Sequence, residues 1–481
     1  MIFASFEFLF LFLPLFFAVY YLTPFRYRNW PVLVLSWGFY AWWRVDFLAL
    51  LAAVTVFTYA TVMAMDRVGP KTRTGTRLLT LGLVGNLGVL AYFKYANFGV
   101  GAFNDLLAGL GMQPMGWSEI LLPIGLSFYV LQSVSYLVDV WRGDVPVSRS
   151  FVNYAAYKAI FSQLIAGPIV RYAEIEQELK GRTHMLEQFG LGARRFMVGF
   201  AMKVCLADTL SPVVDAVFAL EAPTLVDSWT GAIAYTLQLY FDFAGYSAMA
   251  IGLALMMGFH FPENFNFPYL SGSIQQFWQR WHMTLSRFLR DYLYISLGGN
   301  RGGERRTYLN LLATMVIGGF WHGANWTFLL WGFWHGGLLA AHRAWRAAGH
   351  GPDGSTGRGP MRYPAGVALT MLAVVIGWVA FRAPDLATTW RMYGGMLGLH
   401  GVGLSDLLAW QVMADQWWTG LVAVLVCAVP LGARWLPWER PVAAMHPAWR
   451  AAWVAAPLAG FVLGLVLLYS RAAVPFLYFQ F

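Results

Sequence analysis

Apolar runs of membrane-spanning length follow one another along the whole chain, separated by short polar loops. A helix needs about 20 mostly apolar residues to cross a bilayer. The run at 151–170 contains Gly167-Pro168, which is typical of a broken or re-entrant helix. The pattern predicts an all-α polytopic membrane protein with about 11–13 membrane helices, some of them half-spans. The runs lie at 3–22, 30–43, 47–66, 78–96, 120–141, 151–170, 196–220, 229–257, 309–328, 330–345, 364–381, 417–433 and 452–470.

The composition supports a membrane protein and argues against a soluble one. Of the 481 residues, 58% are hydrophobic and only 12% are charged, whereas soluble domains carry roughly 25% charged residues. The run at 3–22 has no basic leader and no small-residue cleavage site, so it is interpreted as a retained first helix. The net charge of +9 arises from short loops and does not imply a nucleic-acid partner.

Loop charge predicts the orientation of the helices. The loops at 97–119, 207–228 and 396–416 contain no Lys or Arg. Because basic loops stay on the cytoplasmic side, these three loops are expected outside. Basic and non-basic loops alternate consistently between the two sides of the membrane only if the run 151–170 does not cross it fully. This alternation places both chain ends outside. The basic loops carry Arg67, Lys71, Arg73 and Arg77, then Arg343, Arg346, Arg358 and Arg362, then Arg434, Arg440 and Arg450.

Two histidines lie in a stretch that has no charged residue from 309 to 340, namely His322 and His335. A titratable side chain at membrane depth indicates a functional site, and imidazole exchanges protons near neutrality. The alternative is a packing histidine bonded to a backbone carbonyl. Asn325 follows His322 by three residues. If the helix continues, Asn325 shares its face and is expected to orient His322 or to stabilise an oxyanion.

The longest polar break, 258–307, is interpreted as a cytoplasmic amphipathic segment. Its core is expected to form a helix in the membrane interface, with arginines facing phosphates and water. His282 lies at the border of the two faces, so a solvated histidine is expected, with a catalytic one as the alternative. The apolar face contains Phe277, Trp281, Leu285, Phe288, Leu289 and Tyr292, and the polar stripe contains Arg280, Thr284, Arg287 and Asp291.

A glycine-rich basic loop follows, Leu297-Gly298-Gly299-Asn300-Arg301-Gly302-Gly303-Glu304-Arg305-Arg306. Backbone N–H groups and guanidinium groups of this kind bind phosphates, which predicts a donor-binding role for Arg301, Arg305 and Arg306. The loop lacks the order of a Walker motif, so nucleotide hydrolysis is not indicated. The alternative is a flexible basic loop that only fixes topology.

The remaining reactive side chains are interpreted as structural. Cys205 and Cys427 lie far apart in apolar segments, which favours inert buried thiols. His335 and His342 are seven residues apart but have no carboxylate or Cys at ligand spacing, so packing is favoured over a metal. Asp242 is expected to be a buried hydrogen-bonding partner, with direct catalysis as the alternative. No metal or prosthetic group is implied.

Several stretches together resemble the membrane-bound O-acyltransferase family, and within it the bacterial alginate O-acetyltransferase branch. The resemblance covers essentially the whole chain. The matching stretches are Tyr40-Ala41-Trp42-Trp43-Arg44, Tyr92-Phe93-Lys94-Tyr95-Ala96-Asn97-Phe98-Gly99-Val100, Leu122-Pro123-Ile124-Gly125-Leu126-Ser127-Phe128-Tyr129, Leu164-Ile165-Ala166-Gly167-Pro168, Gln238-Leu239-Tyr240-Phe241-Asp242-Phe243, Trp321-His322-Gly323-Ala324-Asn325 and Pro475-Phe476-Leu477-Tyr478-Phe479-Gln480-Phe481.

The resemblance implies a helical bundle with a central tunnel and an active histidine at its middle. His322 matches the invariant histidine of the family, and His282 matches the second functional histidine of the bacterial branch. The implied organisation is one membrane domain over 1–481. It consists of N-terminal helices (1–120), a catalytic core (121–345) and C-terminal helices (346–481).

The expected activity is membrane-bound O-acetyl transfer from acetyl-CoA, through a bacterial inner membrane, for O-acetylation of an exported polysaccharide such as alginate. His322 is the expected base. Expected partners are the lipid bilayer, periplasmic acetyltransferases and the exopolysaccharide export machinery. The alternatives are cellulose, peptidoglycan or teichoic-acid modification by the same chemistry, or a transporter without acyl transfer. A transporter predicts paired midplane charges and an internal repeat, and the sequence shows neither.

Overall fold

The computed structural model describes residues 2–349, 364–428, 447–471 and 474–477. It divides into two compact units, Met1–Phe189 with Leu253–Pro262 and Gly190–Gly252 with Glu263–Phe481. The expected single domain with its three parts stays a prediction. The cations Arg358, Arg362, Arg434 and Arg440 and the end of the C-terminal motif, 478–481, lie outside the described residues.

Within those residues the secondary structure is helical and contains no strand. Short π-helical turns cover Glu7–Phe12, Met202–Ala207 and Leu289–Tyr294, and 3-10 turns cover Phe25–Tyr27 and Pro268–Leu270. The α-helices are α1 Leu13–Leu22, α2 Asn29–Ala41, α3 Val45–Val68, α4 Arg73–Gly109, α5 Leu126–Arg142, α6 Phe151–Ala159, α7 Phe161–Leu164, α8 Tyr172–Lys180, α9 Leu186–Ala201, α10 Asp208–Ala219, α11 Leu225–Met256, α12 Ile274–Trp278, α13 Met283–Phe288, α14 Glu304–His322, α15 Trp326–Ala347, α16 Pro364–Arg382, α17 Leu386–Met396, α18 Asp406–Gln411, α19 Ala414–Ala428 and α20 Pro447–Ser470.

Each predicted apolar run contains helical structure among its described residues, so the prediction of an all-α polytopic membrane protein is confirmed. Among the described residues, six helices are long and apolar enough to cross a bilayer. The other helices are shorter or less apolar, and the expected count of 11–13 stays a prediction. The six are Val45–Val68, Arg73–Gly109, Leu186–Ala219, Leu225–Met256, Pro364–Arg382 and Trp453–Ser470.

In the first unit, the run 151–170 is broken as expected, but the break lies at Ile160, before Gly167-Pro168. Helix α6 ends at Ala159, and the four-residue helix α7 follows, so neither piece is long enough to cross a bilayer. Gly125 packs against the end of α7 with φ +76°, and a Cβ at this position would lie 2.4 Å from the carbonyl oxygen of Leu164. Only glycine fits this close approach.

In the second unit, α9 and α11 pack through glycines spaced seven residues apart on each helix. A Cβ on Gly199 would lie 2.4 Å from the carbonyl oxygen of Gly245, and a Cβ on Gly252 would lie 2.5 Å from that of Gly192. Small residues at these points allow the two backbones to touch, which is the usual basis of helix association in a membrane.

A buried charge cluster also stabilises the second unit. Lys203 Nζ lies 2.5 Å from Asp208 Oδ1 and 2.8 Å from Asp242 Oδ1. The other carboxylate oxygen of Asp242 accepts the N–H of Leu477 at 2.9 Å, so the cluster also binds the C-terminal segment 474–477. Asp242 is 1% exposed, which confirms it as a buried hydrogen-bonding partner. Paired in this way, the charges avoid the cost of isolated burial.

Helices α14 and α15 form a tight antiparallel hairpin. A Cβ on Gly319 would lie 2.4 Å from the carbonyl oxygen of Phe328, and a Cβ on Gly332 would lie 2.5 Å from that of Met315. The two helices therefore approach to backbone contact. This packing places the end of α14, where His322 lies, against the first turns of α15.

The predicted continuous amphipathic helix over 277–294 is wrong. The segment instead forms α12, a turn at 279–282, α13 and a π-helical turn. The backbone reverses into the left-handed region at His282, with φ +41°, which a continuous helix does not permit. Thr284, assigned to the polar stripe, is only 2% exposed because the break turns it inward.

Candidate active site

His322 is the last residue of α14 and is 5% exposed. Its ring centroid lies 5.0 Å from that of Trp321, 5.2 Å from that of Trp331 and 5.2 Å from that of Phe381. We call these four residues the His322 corner. The carboxyl end of a helix dipole stabilises positive charge, which suits a ring that accepts a proton during a reaction.

The residues after His322 form a turn rather than more helix. Gly323 has an extended backbone, and a Cβ there would lie 2.1 Å from the Phe328 ring. Asn325 caps α15: its Oδ1 accepts the N–H of Thr327 at 3.1 Å, and its Nδ2 donates to the carbonyl oxygen of Pro384 at 2.6 Å. The expectation that Asn325 shares a helical face with His322 is therefore wrong, because α14 ends at His322. A catalytic role for Asn325 stays a prediction.

His282 is 0% exposed, so the expectation of a solvated boundary histidine is wrong. Its backbone lies in the left-handed region, which residues other than glycine rarely adopt. Such strained conformations cluster at functional sites. Its ring contacts that of Phe243 edge-on, with centroids 4.7 Å apart. Burial lowers the pKa of His282 to about 3, so the ring is neutral at physiological pH.

Asn264 orients His282, and nothing in the sequence pattern indicated this residue. Its Oδ1 lies 3.0 Å from His282 Nδ1 and accepts the hydroxyl of Thr284 at 2.9 Å, while its Nδ2 donates to Ser247 Oγ at 3.1 Å. Because Oδ1 accepts, the proton of the neutral ring lies on Nδ1, and the lone pair lies on Nε2. We call His282, Asn264, Thr284, Ser247 and Phe243 the His282 corner. Asn264 and His282 are eighteen residues apart in an irregular loop, so no periodic pattern in the sequence indicates that they are paired.

Aromatic side chains connect the two corners within the second unit. From Phe243 the contacts pass to Phe265 (centroids 5.1 Å apart) and on to Trp281 (5.1 Å). Trp281 contacts Trp378 at 4.9 Å, and Trp378 stacks on Trp331 at 5.7 Å, beside His322. Both predicted histidines thus border one buried aromatic core.

Comparison with known proteins identifies the fold family. Residues 32–349 match the model of the membrane-bound O-acyltransferase family. This chain belongs to that family.

The similar curated proteins agree with this assignment. A probable alginate O-acetylase of Azotobacter vinelandii is 54% identical over 89% of this chain and 84% of its own length. A probable alginate O-acetylase of Pseudomonas putida is 48% identical over the full length of both. A peptidoglycan O-acetyltransferase of Helicobacter pylori is 35% identical over 83% of this chain and 80% of its own length. The protein is therefore a multi-pass membrane enzyme, an O-acyltransferase.

The three arginines predicted to bind the acyl donor belong to neither histidine corner, and all three are exposed. Arg301 lies in the glycine-rich turn, and Arg305 and Arg306 lie in the first turn of α14. The turn has glycines at four positions with positive φ, including Gly303 at +85°, immediately before α14. These residues present cations to solvent at the opposite end of α14 from His322.

A cavity of about 420 Å³ lies beside that end of α14. Glu304 contributes one acid, whereas His342, Arg343 and Arg346 of α15 contribute three basic groups. Gln275 of α12 completes its polar lining, and its Oε1 accepts from Arg346 Nη1 at 3.3 Å. Leu311, Leu339 and Ala347 also line the cavity, and its basic groups outnumber its acid, which suits an anionic ligand with an apolar part.

The remaining interpretations concern metals and thiols. Among the described residues, no group of three or more His, Cys, Asp or Glu side chains is arranged to hold a metal ion. Cys205 and Cys427 are both free thiols and half-buried. His335 packs against Trp278 and Trp331 with ring centroids 5.3 and 5.0 Å away, in agreement with a packing position.

Proposed function

We propose that this protein is an O-acetyltransferase that modifies an exported polysaccharide, alginate, using acetyl-CoA from the cytoplasm. The observation that carries the proposal is the full-length similarity, at 48%, to a probable alginate O-acetylase, combined with two buried histidines, His322 and His282, that border one aromatic core. The proposed location is a bacterial inner membrane, with basic loops inside and the acetyl group delivered outward. Periplasmic acetyltransferases and the polysaccharide export machinery are the proposed partners.

In the proposed reaction His322 is the base. It removes the proton of an acceptor hydroxyl while the hydroxyl oxygen attacks the thioester carbonyl carbon. The resulting tetrahedral oxyanion collapses, the C–S bond breaks, and the thiolate takes the proton from the imidazolium. The helix C-terminus at His322 stabilises the positive charge that exists between the two proton transfers.

His282 has a different proposed part. Because Asn264 accepts from Nδ1, the Nε2 atom has the lone pair and its direction is fixed. A neutral, oriented imidazole accepts a hydrogen bond from a hydroxyl group and so positions the acceptor sugar or a partner enzyme's hydroxyl. Asn325 supports the turn that positions His322, by capping α15.

The donor's phosphates are proposed to bind at the basic end of the hairpin. Arg301, Arg305 and Arg306 provide exposed guanidinium groups there, and guanidinium groups bind phosphate oxygens in pairs. The cavity lined by Arg343 and Arg346 lies beside the same end of α14. Neutralising the three exposed arginines raises the donor KM if they hold the phosphates, and leaves it unchanged if they only set topology.

The proposal is tested with sealed membrane vesicles that contain the protein and receive labelled acetyl-CoA on the cytoplasmic face. De-acetylated alginate oligomers and the partner acetyltransferases are supplied on the other face, and labelled ester is counted. The expected result is alginate ester that depends on the protein and on His322. Absence of ester with correctly inserted protein, in the presence of the partners, would contradict the proposal.

A second candidate acceptor is peptidoglycan, because a peptidoglycan O-acetyltransferase is 35% identical over 83% of this chain. The same vesicles distinguish the two when muropeptide chains replace alginate. A transporter without chemistry predicts movement of label without any ester, whichever polymer is present.

A further inference from the structure

Two arginines and a histidine surround Tyr20 near the end of α1. The guanidinium carbon of Arg28 lies 5.3 Å from the centroid of the Tyr20 ring, and that of Arg182 lies 5.5 Å from it. The Tyr20 hydroxyl accepts from Arg182 Nε at 2.8 Å and lies 2.8 Å from His184 Nε2. We call these four residues the Tyr20 basic site. They belong to the first unit, whereas both histidine corners belong to the second.

Among the described residues, no carboxylate forms an ion pair with either arginine. Arg28 donates to the carbonyl oxygens of Thr23 and Tyr21 at 3.2 and 3.4 Å. Arg182 is only 8% exposed, yet each of its acceptors is a neutral oxygen atom. A buried charge without a counter-ion is unfavourable, so the site favours an anion from outside the chain. The acceptors of Arg182 are the Tyr20 hydroxyl, the carbonyl oxygens of Met257 and Glu178, and Asn29 Oδ1.

The carboxylate of Glu178 is bonded to another residue and does not neutralise the site. Its Oε1 lies 2.6 Å from His260 Nδ1, and its Oε2 accepts the backbone N–H of His260 at 3.0 Å. Burial, together with repulsion from Arg28 and Arg182, lowers the pKa of His184 to about 4. The histidine is therefore neutral at physiological pH, and the two guanidinium groups give the site its positive charge.

The charge of the surrounding loops predicts that the site lies at the cytoplasmic surface. The segment 23–29 contains two arginines and no acid, and the segment 181–185 contains one arginine and no acid. Basic loops stay on the cytoplasmic side of a membrane. Arg28 is half-buried there, and only two of the five N–H groups of its guanidinium have an acceptor among the described residues. Three N–H donors of Arg28 therefore remain for a ligand.

An apolar face of α1 leads to this site. Leu15, Val19 and Leu22 follow one another at helical spacing and are 51%, 37% and 84% exposed. Phe16 and Tyr20, on the opposite side of the helix, are both 0% exposed. A small soluble anion makes no use of such a face, whereas a phospholipid joins a phosphate to acyl chains. Basic pockets between membrane helices on the cytoplasmic side bind the headgroups of anionic lipids.

We propose that the Tyr20 basic site binds the phosphate of an anionic phospholipid, with Arg28 donating to the phosphate oxygens and an acyl chain lying along the exposed face of α1. Arg182 contributes its charge rather than a direct bond, because its Nη2 atom is buried and its guanidinium carbon lies 4.2 Å from the centroid of the Phe259 ring. A zwitterionic headgroup brings its own cation, so the site selects an anionic one. Lipid binding here is independent of the proposed acyl transfer.

The test measures lipid binding to the purified full-length protein in detergent, by native mass spectrometry. The probes are phosphatidylglycerol and phosphatidylcholine with identical acyl chains. We expect the wild-type protein to bind phosphatidylglycerol at least fivefold more tightly than phosphatidylcholine. Arg28→Gln is expected to weaken phosphatidylglycerol binding roughly fivefold, the usual effect of one basic residue at an anionic lipid surface. Equal affinity of the wild-type protein for the two lipids would overturn the inference.

Phe25→Glu is a second variant that leaves Arg28 in place. The Phe25 side chain is 50% exposed, and its ring centroid lies 5.7 Å from the guanidinium carbon of Arg28. A carboxylate at this position supplies the missing counter-ion and competes with the lipid phosphate. We expect it to weaken phosphatidylglycerol binding at least fivefold and to leave phosphatidylcholine binding unchanged. If Arg28→Gln does not fold, as judged by its unfolding temperature, this variant decides the outcome.

Arg26→Gln is the matched control in the same loop. Arg26 is exposed, and its guanidinium carbon lies 5.9 Å from the centroid of the Tyr27 ring, outside the Tyr20 basic site. We expect this variant to bind phosphatidylglycerol within about twofold of wild type. Equal losses in Arg26→Gln and Arg28→Gln would mean a diffuse basic surface and would overturn the inference.

Glycerol phosphate, which has the phosphate without acyl chains, identifies the source of the anion. A bound anionic lipid raises the unfolding temperature of the protein, because it binds the folded state. If glycerol phosphate at the same concentration raises the unfolding temperature as much as phosphatidylglycerol does, the site binds a soluble phosphate and the lipid assignment is wrong. A rise with phosphatidylglycerol alone, lost in Arg28→Gln and kept in Arg26→Gln, supports the lipid site.

Discussion

The two histidine corners have opposite constructions. His322 is the final residue of a helix, and its ring contacts three aromatic rings. His282 lies in a strained turn, and its ring Nδ1 is hydrogen-bonded to Asn264 Oδ1. A ring at a helix C-terminus is suited to gaining charge. A ring whose Nδ1–H is bonded by a buried amide is suited to keeping one tautomer and one direction. The difference indicates that the two histidines have unequal roles, with His322 in proton transfer and His282 in positioning.

The largest predicted effect is that of His322→Ala. We expect its kcat for ester formation to fall roughly 10²–10⁴-fold, because a positioned base contributes about that much. The measurement is the initial rate at saturating donor in membranes, divided by the amount of inserted protein. His400→Ala is the control, since His400 belongs to neither histidine corner and its Nδ1 hydrogen-bonds the carbonyl oxygen of Pro223. Comparable losses in both variants would mean that the effect is not specific to the His322 corner.

Asn264→Leu tests whether His282 acts through its orientation. The variant keeps the side-chain volume but cannot accept from Nδ1. Leaving that buried donor unpaired costs about 1–3 kcal/mol, so we expect activity to fall roughly 5–150-fold. Ser247→Ala removes the hydrogen bond that Asn264 Nδ2 donates, and it is expected to lower activity less than about threefold. The pair is compared by acceptor KM and kcat. Equal effects of the two substitutions would contradict a specific role for the Asn264–His282 bond.

Asn325 is tested by two substitutions that separate capping from catalysis. Asn325→Ala is expected to cost about 0.5–2 kcal/mol of stability through loss of the helix cap, whereas Asn325→Asp keeps a capping oxygen. If Asn325 only caps α15, the Asp variant retains most activity, and the Ala variant loses activity in proportion to its loss of stability. If its amide stabilises an oxyanion, both variants lose roughly 10²–10³-fold. Rates and unfolding temperatures of both variants distinguish the two roles.

The smallest effect is a pH dependence of stability at the His282 corner. The folded pKa of His282 is about 3, whereas the unfolded value is 6.5. Below pH 6.5 the unfolded chain takes up a proton that the folded chain does not, so stability falls as the pH is lowered toward 3. The expected slope from this group approaches about 1.4 kcal/mol per pH unit below pH 6. His282→Gln is expected to lose that contribution in detergent unfolding between pH 7 and 5, and an unchanged slope would contradict it.

Much of the fold could be predicted from the sequence, because helix formation in a membrane depends on local hydrophobicity. Each apolar run contains helical structure among its described residues, and the run 151–170 is broken as expected, although at Ile160 rather than at Gly167-Pro168. His322 could be singled out because an uncharged stretch around a titratable ring is a local signal. The interfacial helix over 277–294 could not be predicted correctly, since its apolar spacing is helical but long-range contacts of Asn264 and Phe243 impose the turn at His282.

The sequence by itself determined which segments are helical, how charge alternates between loops and which family the chain resembles, because these depend on neighbouring residues alone. Only the tertiary structure decided that His282 is buried and bonded to Asn264, that Asn325 caps α15 rather than facing His322, and that Trp278 and Trp331 meet at His335. The physical reason is that these arrangements come from packing between helices distant in sequence. Glycines at the helix crossings permit that close packing.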